Sequence, residues 1–317
     1  MGKVAFVFPG QASQAPGMGK ELAEKYPVAQ AVFEEADKAL GFSISKMCFE
    51  GSEEELKLTA NTQPAILTVS VAAYRVLEQK GIAPDYVAGH SLGEYSALVA
   101  AGSLRFADAV KLVRKRGTYM QEAVPAGQGA MAAIMGVSPA VVIDACKRAA
   151  EGEVCAPANL NSPEQTVISG HAGAVKRAVE IASQLGAKRS MVLAVSAPFH
   201  SALMMPAQHK LETDLSAIQF GELQVPLVTN VDADTTRDGD EARNALVRQV
   251  SMPVRWEESM RLLLDEGVNT FVEVGPGRVL TGLMRQIERS VATLNVEDEK
   301  SLLATIEKIA AAKSDAA

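Results

Sequence analysis

The amino-acid sequence predicts an α/β fold, in which buried strands alternate with helices along the chain. Two observations carry this prediction. Short apolar runs, rich in β-branched and aromatic residues and ended by turn residues, are typical of strands buried on both faces. Longer stretches with the helical spacing of apolar residues separate these runs. The chain has 317 residues, 48% hydrophobic and 22% charged, and is therefore long enough to bury a core without disulfides.

The elements of a principal unit follow in a regular order. Its first strand, at 4–8, ends at Pro9-Gly10. The predicted strands are 4–8, 86–89, 226–231 and 270–274, and the predicted helices are 60–80, 94–101, 106–124, 256–266 and 279–289. This alternation predicts a parallel sheet.

The stretch 125–195 has a different rhythm and predicts a smaller inserted unit. Its expected elements are strands at 130–135, 166–169 and 189–195, and helices at 139–150 and 172–185. This series favours a compact antiparallel sheet with two helices. We therefore expect the principal unit to comprise residues 1–124 and 196–317, with the smaller unit at 125–195.

Charge and cysteine content exclude several functional classes. The net charge is 31 − 38 = −7, so we expect no nucleic-acid partner, although a local cationic patch is compatible with that total. Cys48, Cys146 and Cys155 have neither the number nor the spacing of a disulfide framework or a zinc site. Neither a signal-peptide core nor a membrane-length apolar run is present in the sequence. We therefore expect a cytoplasmic protein without a membrane partner.

A G-x-S-x-G motif identifies the candidate nucleophile. Gly89-His90-Ser91-Leu92-Gly93 follows a predicted strand and opens a predicted helix. In that context, two glycines allow a sharp turn that exposes the serine hydroxyl in a cleft. The N–H of Leu92 can then point at a developing oxyanion, near the positive end of the helix dipole. The alternative interpretation is a glycine-rich turn in which Ser91 only caps the helix.

Serine needs a base to become a good nucleophile, and the chain contains four histidines. His90 adjoins the serine on a strained turn, His171 lies in a predicted surface turn, and His209 lies in a polar run. His200 follows Ala197-Pro198-Phe199, where the chain returns from the smaller unit. We predict that His200 is the base; the alternative is a loop histidine with ordinary hydrogen bonds.

Several ordered motifs together resemble the malonyl-CoA:acyl carrier protein transacylase family of bacterial type II fatty acid synthesis. The resemblance runs from about residue 4 to residue 287. The motifs are Phe8-Pro9-Gly10-Gln11, Gly89-His90-Ser91-Leu92-Gly93-Glu94, Gly129-Ala130-Met131, Asn161-Ser162-Pro163, Pro198-Phe199-His200-Ser201, Pro253-Val254-Arg255-Trp256 and Glu273-Val274-Gly275-Pro276-Gly277.

The resemblance implies a fold, a reaction and partners. It implies an α/β-hydrolase-like larger subdomain, an inserted ferredoxin-like smaller one, and ping-pong transfer through a malonyl-serine that supplies fatty acid elongation. Malonyl-CoA is then the donor and the phosphopantetheine thiol of acyl carrier protein the acceptor. We expect a monomer without a cofactor or metal. The residues alone leave open a fatty acid or a polyketide pathway.

The resemblance also implies roles for individual residues. Gln11 resembles the glutamine beside the oxyanion hole, and the main-chain carbonyl of Gln249 matches the group that holds the histidine. Phe199 resembles the malonyl-type pattern, in which a bulky ring leaves little space for an α-methyl branch. The family usually reads Gly-Gln-Gly where this chain has Gly10-Gln11-Ala12. If residue 12 needs a positive φ, alanine is strained there.

An arginine is the expected partner of the malonyl carboxylate, because a guanidinium can grip a carboxylate with two parallel hydrogen bonds. On the helix at 106–124, Arg116 lies roughly 70° from the centre of the apolar stripe and Arg114 roughly 90° on the other side. Helical phase therefore makes Arg116 the more inward of the two, and the resemblance implies the same residue. Gln63 and Asn159 are weaker pocket candidates, with a cap or loop hydrogen bond as the alternative.

Two other functions compete with a transacylase. A serine hydrolase such as a thioesterase would use the same nucleophile with water as the acceptor. A pocket for neutral acyl chains would bury no cation, so Arg116 distinguishes the two enzymes. A non-enzymatic scaffold would have to retain Ser91, His200 and Arg116 by coincidence.

Overall fold

The computed structural model describes residues 2–195 and 197–314. The strands are β1 (Lys3–Phe8), β2 (Tyr86–Gly89), β3 (Gly129–Met135), β4 (Cys155–Ser162), β5 (Gln165–His171), β6 (Arg189–Val192), β7 (Leu227–Val228), β8 (Thr235–Thr236), β9 (Val268–Val274) and β10 (Ala292–Val296). The α-helices are α1 (Lys20–Lys25), α2 (Pro27–Leu40), α3 (Ile44–Glu50), α4 (Glu53–Lys57), α5 (Thr59–Gln79), α6 (Gly93–Ala100), α7 (Phe106–Glu122), α8 (Pro139–Ala150), α9 (Ala172–Gln184), α10 (Met205–Ser216), α11 (Gly239–Gln249), α12 (Trp256–Asp265), α13 (Val279–Ile287) and α14 (Glu299–Ser314).

The principal sheet has the strand order β10-β9-β1-β2-β7-β8. Its first five strands are parallel, as predicted, and β8 pairs antiparallel with β7 at one edge. Apolar side chains on the two faces of the sheet enter separate clusters, with Phe6 in one and Val7 in the other. Burial on both faces explains why β1 is a continuous apolar run.

The predicted helices of this unit are confirmed within two residues at each end, but the strand predicted at 226–231 is wrong in length. Only Leu227–Val228 pairs with β2. Beyond it, the Thr229 N–H donates to the carbonyl of Asp234, and the chain turns into β8. The Asn230 N–H donates to Glu94 and its carbonyl accepts from the N–H of Arg255, so the backbone of 229–231 does not continue the strand pairing.

The smaller unit has an antiparallel sheet in the order β4-β5-β3-β6, packed against α8 and α9. The predicted strands and helices are all present, but the strand predicted at 189–195 ends at Val192, and β4 is an additional strand. Its sequence contains Pro157 and Asn159, residue types that are depleted in strands. An edge position tolerates them, and the pairing of β4 with β5 shifts register between Pro157 and Asn159. Residue 196, the predicted boundary, lies outside the described residues.

The carboxyl ends of the central strands and the smaller unit form the two walls of a cleft. Phe8 pairs with Gly89, so the loops after β1 and β2 leave the sheet side by side. The two units are joined at β4, where the Leu160 N–H donates to the carbonyl of Val254 and the Val254 N–H to that of Ala158, each at 2.9 Å. Within the described residues, no helix has the length and hydropathy needed to cross a membrane.

Candidate active site

Ser91 lies on a sharp turn between β2 and α6. Its φ is 51°, a left-handed conformation that is uncommon for a residue with a side chain. Both flanking glycines are needed for space, because a Cβ on Gly89 would lie 1.9 Å from the carbonyl carbon of Gly93, and a Cβ on Gly93 would lie 2.0 Å from the carbonyl oxygen of Phe8. The motif therefore forms the strained turn that its context predicts.

Two side chains from distant segments bind the backbone of Ser91. The Ser91 N–H donates to Oδ1 of Asn230 at 2.7 Å, and the Asn230 amide donates to the carbonyl of Gly89 at 2.7 Å. On the other side, Nε2 of Gln249 donates to the carbonyl of Ser91 at 2.8 Å. These contacts stabilise the positive φ of the turn.

His200 is the histidine in contact with the serine hydroxyl. Its Nε2 lies 2.8 Å from Oγ of Ser91, and its Nδ1 lies 2.8 Å from the carbonyl of Gln249 and 3.2 Å from that of Met252. Because Nδ1 faces two acceptors, it carries the ring proton, and Nε2 is left to accept the proton of the serine. The carbonyl of Gln249 thus lies where the resemblance expects it.

Burial and the positive charge of Arg116 lower the pKa of His200 to about 3. Burial removes water from the imidazolium, and the nearby guanidinium repels a second cation. The imidazole is therefore neutral at ordinary pH, as a general base must be.

Arg116 is almost completely buried, with 1% of its surface exposed. Its Nη1 donates to Oε1 of Gln63 at 2.8 Å, and its Nη2 donates to Oε1 of Gln249 at 2.9 Å and to Oγ of Ser91 at 3.0 Å. Burial lowers the pKa of Arg116, but a guanidinium keeps its charge in proteins. The site therefore places a fixed positive charge beside the Ser91 hydroxyl.

Arg114 points elsewhere, as the helical phase predicts. Its Nη1 donates to the carbonyl of Ala60 at 2.7 Å and also contacts Oδ1 of Asn61, next to the start of α5. Lys115, between the two arginines, forms an ion pair with Asp214. Among these three cations, Arg116 is the one that lines the cleft.

Leu92 and Gln11 both line the cleft that contains Ser91. The next two amides of the turn donate to carbonyls of His90 and Ser91, whereas the described residues show no such turn bond from the Leu92 N–H. Gln11 lines the cleft, and its Nε2 donates to Oγ1 of Thr59 at 3.3 Å. The preceding Gly10 lies so close to the turn that a Cβ there would be 2.5 Å from the carbonyl oxygen of His90.

Ala12, which stands where the family usually has glycine, has a strained backbone. Ala12 has a φ of 85°, in the region that favours glycine. Its N–H donates to Oε1 of Gln14 at 2.8 Å, which stabilises the loop conformation. The substitution strains the backbone without displacing Gln11 from the cleft.

The other predicted residues are also accounted for. Gln63, Asn159 and Phe199 line the cleft, together with apolar side chains from both units. Asn159 lies on β4, so its alternative interpretation as a loop residue is wrong. His90 and His171 bind partners away from the serine hydroxyl: Nε2 of His90 lies 2.9 Å from Oδ1 of Asn161, and Nδ1 of His171 accepts from the N–H of Val154.

The sequence reasoning missed Asn230 and gave no role to Glu94. Glu94 is completely buried, and its Oε2 accepts hydrogen bonds from Nε2 of Gln249 and the N–H of Asn230. Burial raises the pKa of Glu94 to about 8. A glutamate on an otherwise apolar helix was the available signal for this residue; Asn230, on a predicted strand 139 residues from Ser91, gave none.

The chain is similar to known proteins over nearly its whole length. Residues 5–308 match the acyl transferase domain family. The malonyl CoA-acyl carrier protein transacylase of Bacillus subtilis is 49% identical over 98% of each chain. That of Escherichia coli K12 is 50% identical over 97% of this chain and all of the relative.

Solved structures show the same similarity. An acyl carrier protein S-malonyltransferase from Vibrio cholerae superposes with a TM-score of 0.94 at 47% identity, covering 96% of this chain and 99% of that one. A malonyl-transacylase in complex with a type II polyketide acyl-carrier protein gives the same four values.

Proposed function

Because this chain belongs to the acyl transferase domain family and to its malonyl CoA-acyl carrier protein transacylases, we propose that it moves a malonyl group from malonyl-CoA to the phosphopantetheine thiol of an acyl carrier protein. The reaction proceeds by a ping-pong mechanism through a malonyl-serine, and its product supplies fatty acid elongation. The observation that carries the proposal is the contact of the buried Arg116 guanidinium with Oγ of Ser91.

The first half-reaction acylates Ser91. His200 Nε2 takes the hydroxyl proton while Oγ attacks the thioester carbonyl. The tetrahedral oxyanion accepts a hydrogen bond from the Leu92 N–H, and Gln11 lies beside the oxyanion. When the C–S bond breaks, the imidazolium returns the proton to the departing CoA sulfur. The carbonyl of Gln249 stabilises the imidazolium through Nδ1, in the place where a carboxylate serves other serine enzymes.

The second half-reaction runs the same steps in reverse with a new thiol. His200 accepts the proton of the phosphopantetheine thiol, and the sulfur attacks the malonyl-serine ester. Collapse of the second tetrahedral intermediate breaks the C–Oγ bond, and the imidazolium returns the proton to Oγ. Ser91 and His200 then regain their starting protonation states.

The free malonyl carboxylate pairs with Arg116 in this mechanism. A charge-assisted contact in a desolvated pocket is strong, and it selects acyl groups that carry a terminal carboxylate. The buried charge of Arg116 argues against a thioesterase for neutral acyl chains. The contacts of His200 and Arg116 with the Ser91 hydroxyl argue against a non-enzymatic scaffold. Phe199, at the cleft wall, is the residue expected to disfavour an α-methyl branch.

We extend the proposal to the domain organisation and the physical state. An α/β-hydrolase-like subdomain at 1–124 and 196–317 is supported by the parallel sheet and the serine turn. A ferredoxin-like subdomain at 125–195 is supported by its β-α-β-β-α-β order and by the strand order β4-β5-β3-β6. The monomeric state, the cytoplasmic location and independence of a cofactor remain predictions.

Isolation of the acyl-enzyme tests the proposed function. The protein is incubated with radiolabelled malonyl-CoA, freed of unbound label, and divided between buffer and phosphopantetheinylated carrier protein. A transacylase keeps the label in buffer and passes it to the carrier protein. Rapid release of malonate in buffer, unaffected by carrier protein, would instead identify a hydrolase.

A further inference from the structure

Glu94 is a buried carboxyl group that the reaction scheme does not use. It lies on the first turn of α6, beneath the serine turn, with none of its surface exposed. Its Oε2 accepts from Nε2 of Gln249 at 2.7 Å and from the N–H of Asn230 at 3.2 Å. Among the described residues, its Oε1 has no hydrogen-bond partner. The carboxyl group therefore meets the rest of the protein through one oxygen.

Gln249 connects that oxygen to Arg116. Its Nε2 group donates to Glu94 and to the carbonyl of Ser91, and its Oε1 accepts from Nη2 of Arg116 at 2.9 Å. A primary amide has two donors on one end and an acceptor on the other. With acceptors on the side of Glu94 and a cation on the opposite side, only one orientation of the amide satisfies every contact.

We propose that Glu94 is a positioning residue for substrate selection, which fixes the orientation of the Gln249 amide so that Oε1 holds the Arg116 guanidinium where the substrate carboxylate binds. Glu94 touches neither the substrate nor the reacting atoms in this scheme. The inference rests on the proposed function, because it assigns the carboxylate of the acyl group to Arg116. Loss of the Glu94 acceptor would release the amide, and a rotated amide would turn its N–H groups toward the guanidinium.

An alternative role for Glu94 is to balance the positive charge of Arg116, and this role predicts that Glu94→Gln is impaired. Burial raises the pKa of Glu94 and the charge of Arg116 lowers it, so substitution has to separate the charge of the carboxyl group from its acceptor oxygen. Oε2 accepts the two N–H groups in the protonated and the ionised state alike. Glu94→Gln retains an acceptor oxygen and removes the ionisable group, whereas Glu94→Met removes both at similar volume.

The experiment measures kcat and KM separately for malonyl-CoA and acetyl-CoA, with one holo-carrier protein as acceptor. We expect Glu94→Gln to stay within about threefold of wild type for both donors. Glu94→Met should raise KM for malonyl-CoA by about tenfold or more, the loss of one charge-assisted contact. It should lower kcat/KM for acetyl-CoA by a clearly smaller factor, which reports the loss of support for the Ser91 turn through Gln249 and Asn230. Acetyl transfer uses the same nucleophile and base and is the internal control for their alignment.

A double-mutant cycle tests whether Glu94 acts through Gln249. Gln249→Met keeps the main-chain carbonyl that binds His200 and removes the amide, so it should lower the malonyl preference as Glu94→Met does. The double variant should be no worse than Gln249→Met alone, because the two residues form one chain of contacts. Glu273→Gln, at a buried glutamate that binds the N–H groups of Leu280 and Thr281, is the matched control and should leave the ratio of malonyl to acetyl transfer unchanged.

Four outcomes would overturn the inference. These are equal losses for the two donors in Glu94→Met, additive losses in the double variant, a Glu94→Gln protein as impaired as Glu94→Met, and an unchanged malonyl preference in Gln249→Met. The last of these does not require Glu94→Met to fold. Failure of wild-type protein to transfer malonyl groups would instead refute the proposed function.

Discussion

Nη2 of Arg116 lies 3.0 Å from Oγ of Ser91, so a buried cation directly contacts the nucleophile. The Ser91 hydroxyl donates to His200 and accepts from Arg116. A positive charge at this distance stabilises negative charge that develops on Oγ as the proton leaves. The same guanidinium is the expected partner of the substrate carboxylate, and its Nε has no hydrogen-bond partner among the described residues.

Replacement of the two reacting side chains should stop acylation. Ser91→Ala is expected to form no stable acyl-enzyme with labelled malonyl-CoA, because it lacks Oγ. His200→Ala should slow acylation by at least about a hundredfold, the lower range for loss of a general base. Rapid-quench labelling measures both, with His209→Ala, at an exposed residue of α10, as the control. Wild-type labelling of the Ser91→Ala protein would contradict a serine ester.

Arg116→Ala should invert the donor preference. We expect kcat/KM for malonyl-CoA to fall by about a hundredfold or more, because a charge-assisted contact in a desolvated pocket is lost. Acetyl-CoA lacks the carboxylate, and its kcat/KM should stay level or rise as an unpaired buried charge disappears. Arg114→Ala, whose side chain binds near Ala60, should keep the malonyl preference. A parallel loss for both donors in Arg116→Ala would assign that residue a structural role.

The acid limb of the pH profile should lie well below the pKa of an ordinary histidine. A histidine with a pKa near 6.5 loses its basic form as the pH falls through that value. Burial and Arg116 lower the pKa of His200 to about 3, so kcat/KM for acetyl-CoA should remain level from pH 7 to about pH 5. Arg116→Ala removes one of the causes that lower this pKa and should move the acid limb to higher pH. A wild-type midpoint near 6.5 would exclude His200 as the buried neutral base.

Ala12→Gly should stabilise the protein. A residue with a side chain at a φ of 85° costs about 1 kcal/mol relative to glycine, and glycine removes that strain. We expect the urea unfolding midpoint to rise with an unchanged slope. Ala217→Gly, at a φ of −85°, is the control and should give no gain. No increase for Ala12→Gly would mean that the loop relaxes without cost.

The features that could be predicted from the sequence are those that depend on residues close together in the chain. The serine turn depends on a strand, two glycines and a helix that are adjacent in the chain, so Ser91 could be assigned from the motif and its context. Arg116 could be separated from Arg114 because the apolar stripe of α7 fixes the direction of each residue. Both assignments use periodicities of a single element.

The remainder depends on contacts between distant segments. Asn230 reaches Ser91 across 139 residues, and no local pattern distinguishes it from other asparagines that end a strand. The resemblance, and not any periodicity, identified Gln249. Strand β4 was missed because its stability comes from pairing with β5 and not from the propensities of Pro157 and Asn159.

The backbone pairing between β4 and the segment around Val254 anchors the smaller unit at one end of the cleft. Met252, two residues earlier in the chain, accepts a hydrogen bond from His200, so the anchor is covalently continuous with a group that holds the imidazole. The smaller unit and the imidazole therefore share one short segment, residues 252–254. A change in the position of β4 would reach the histidine through two residues of backbone.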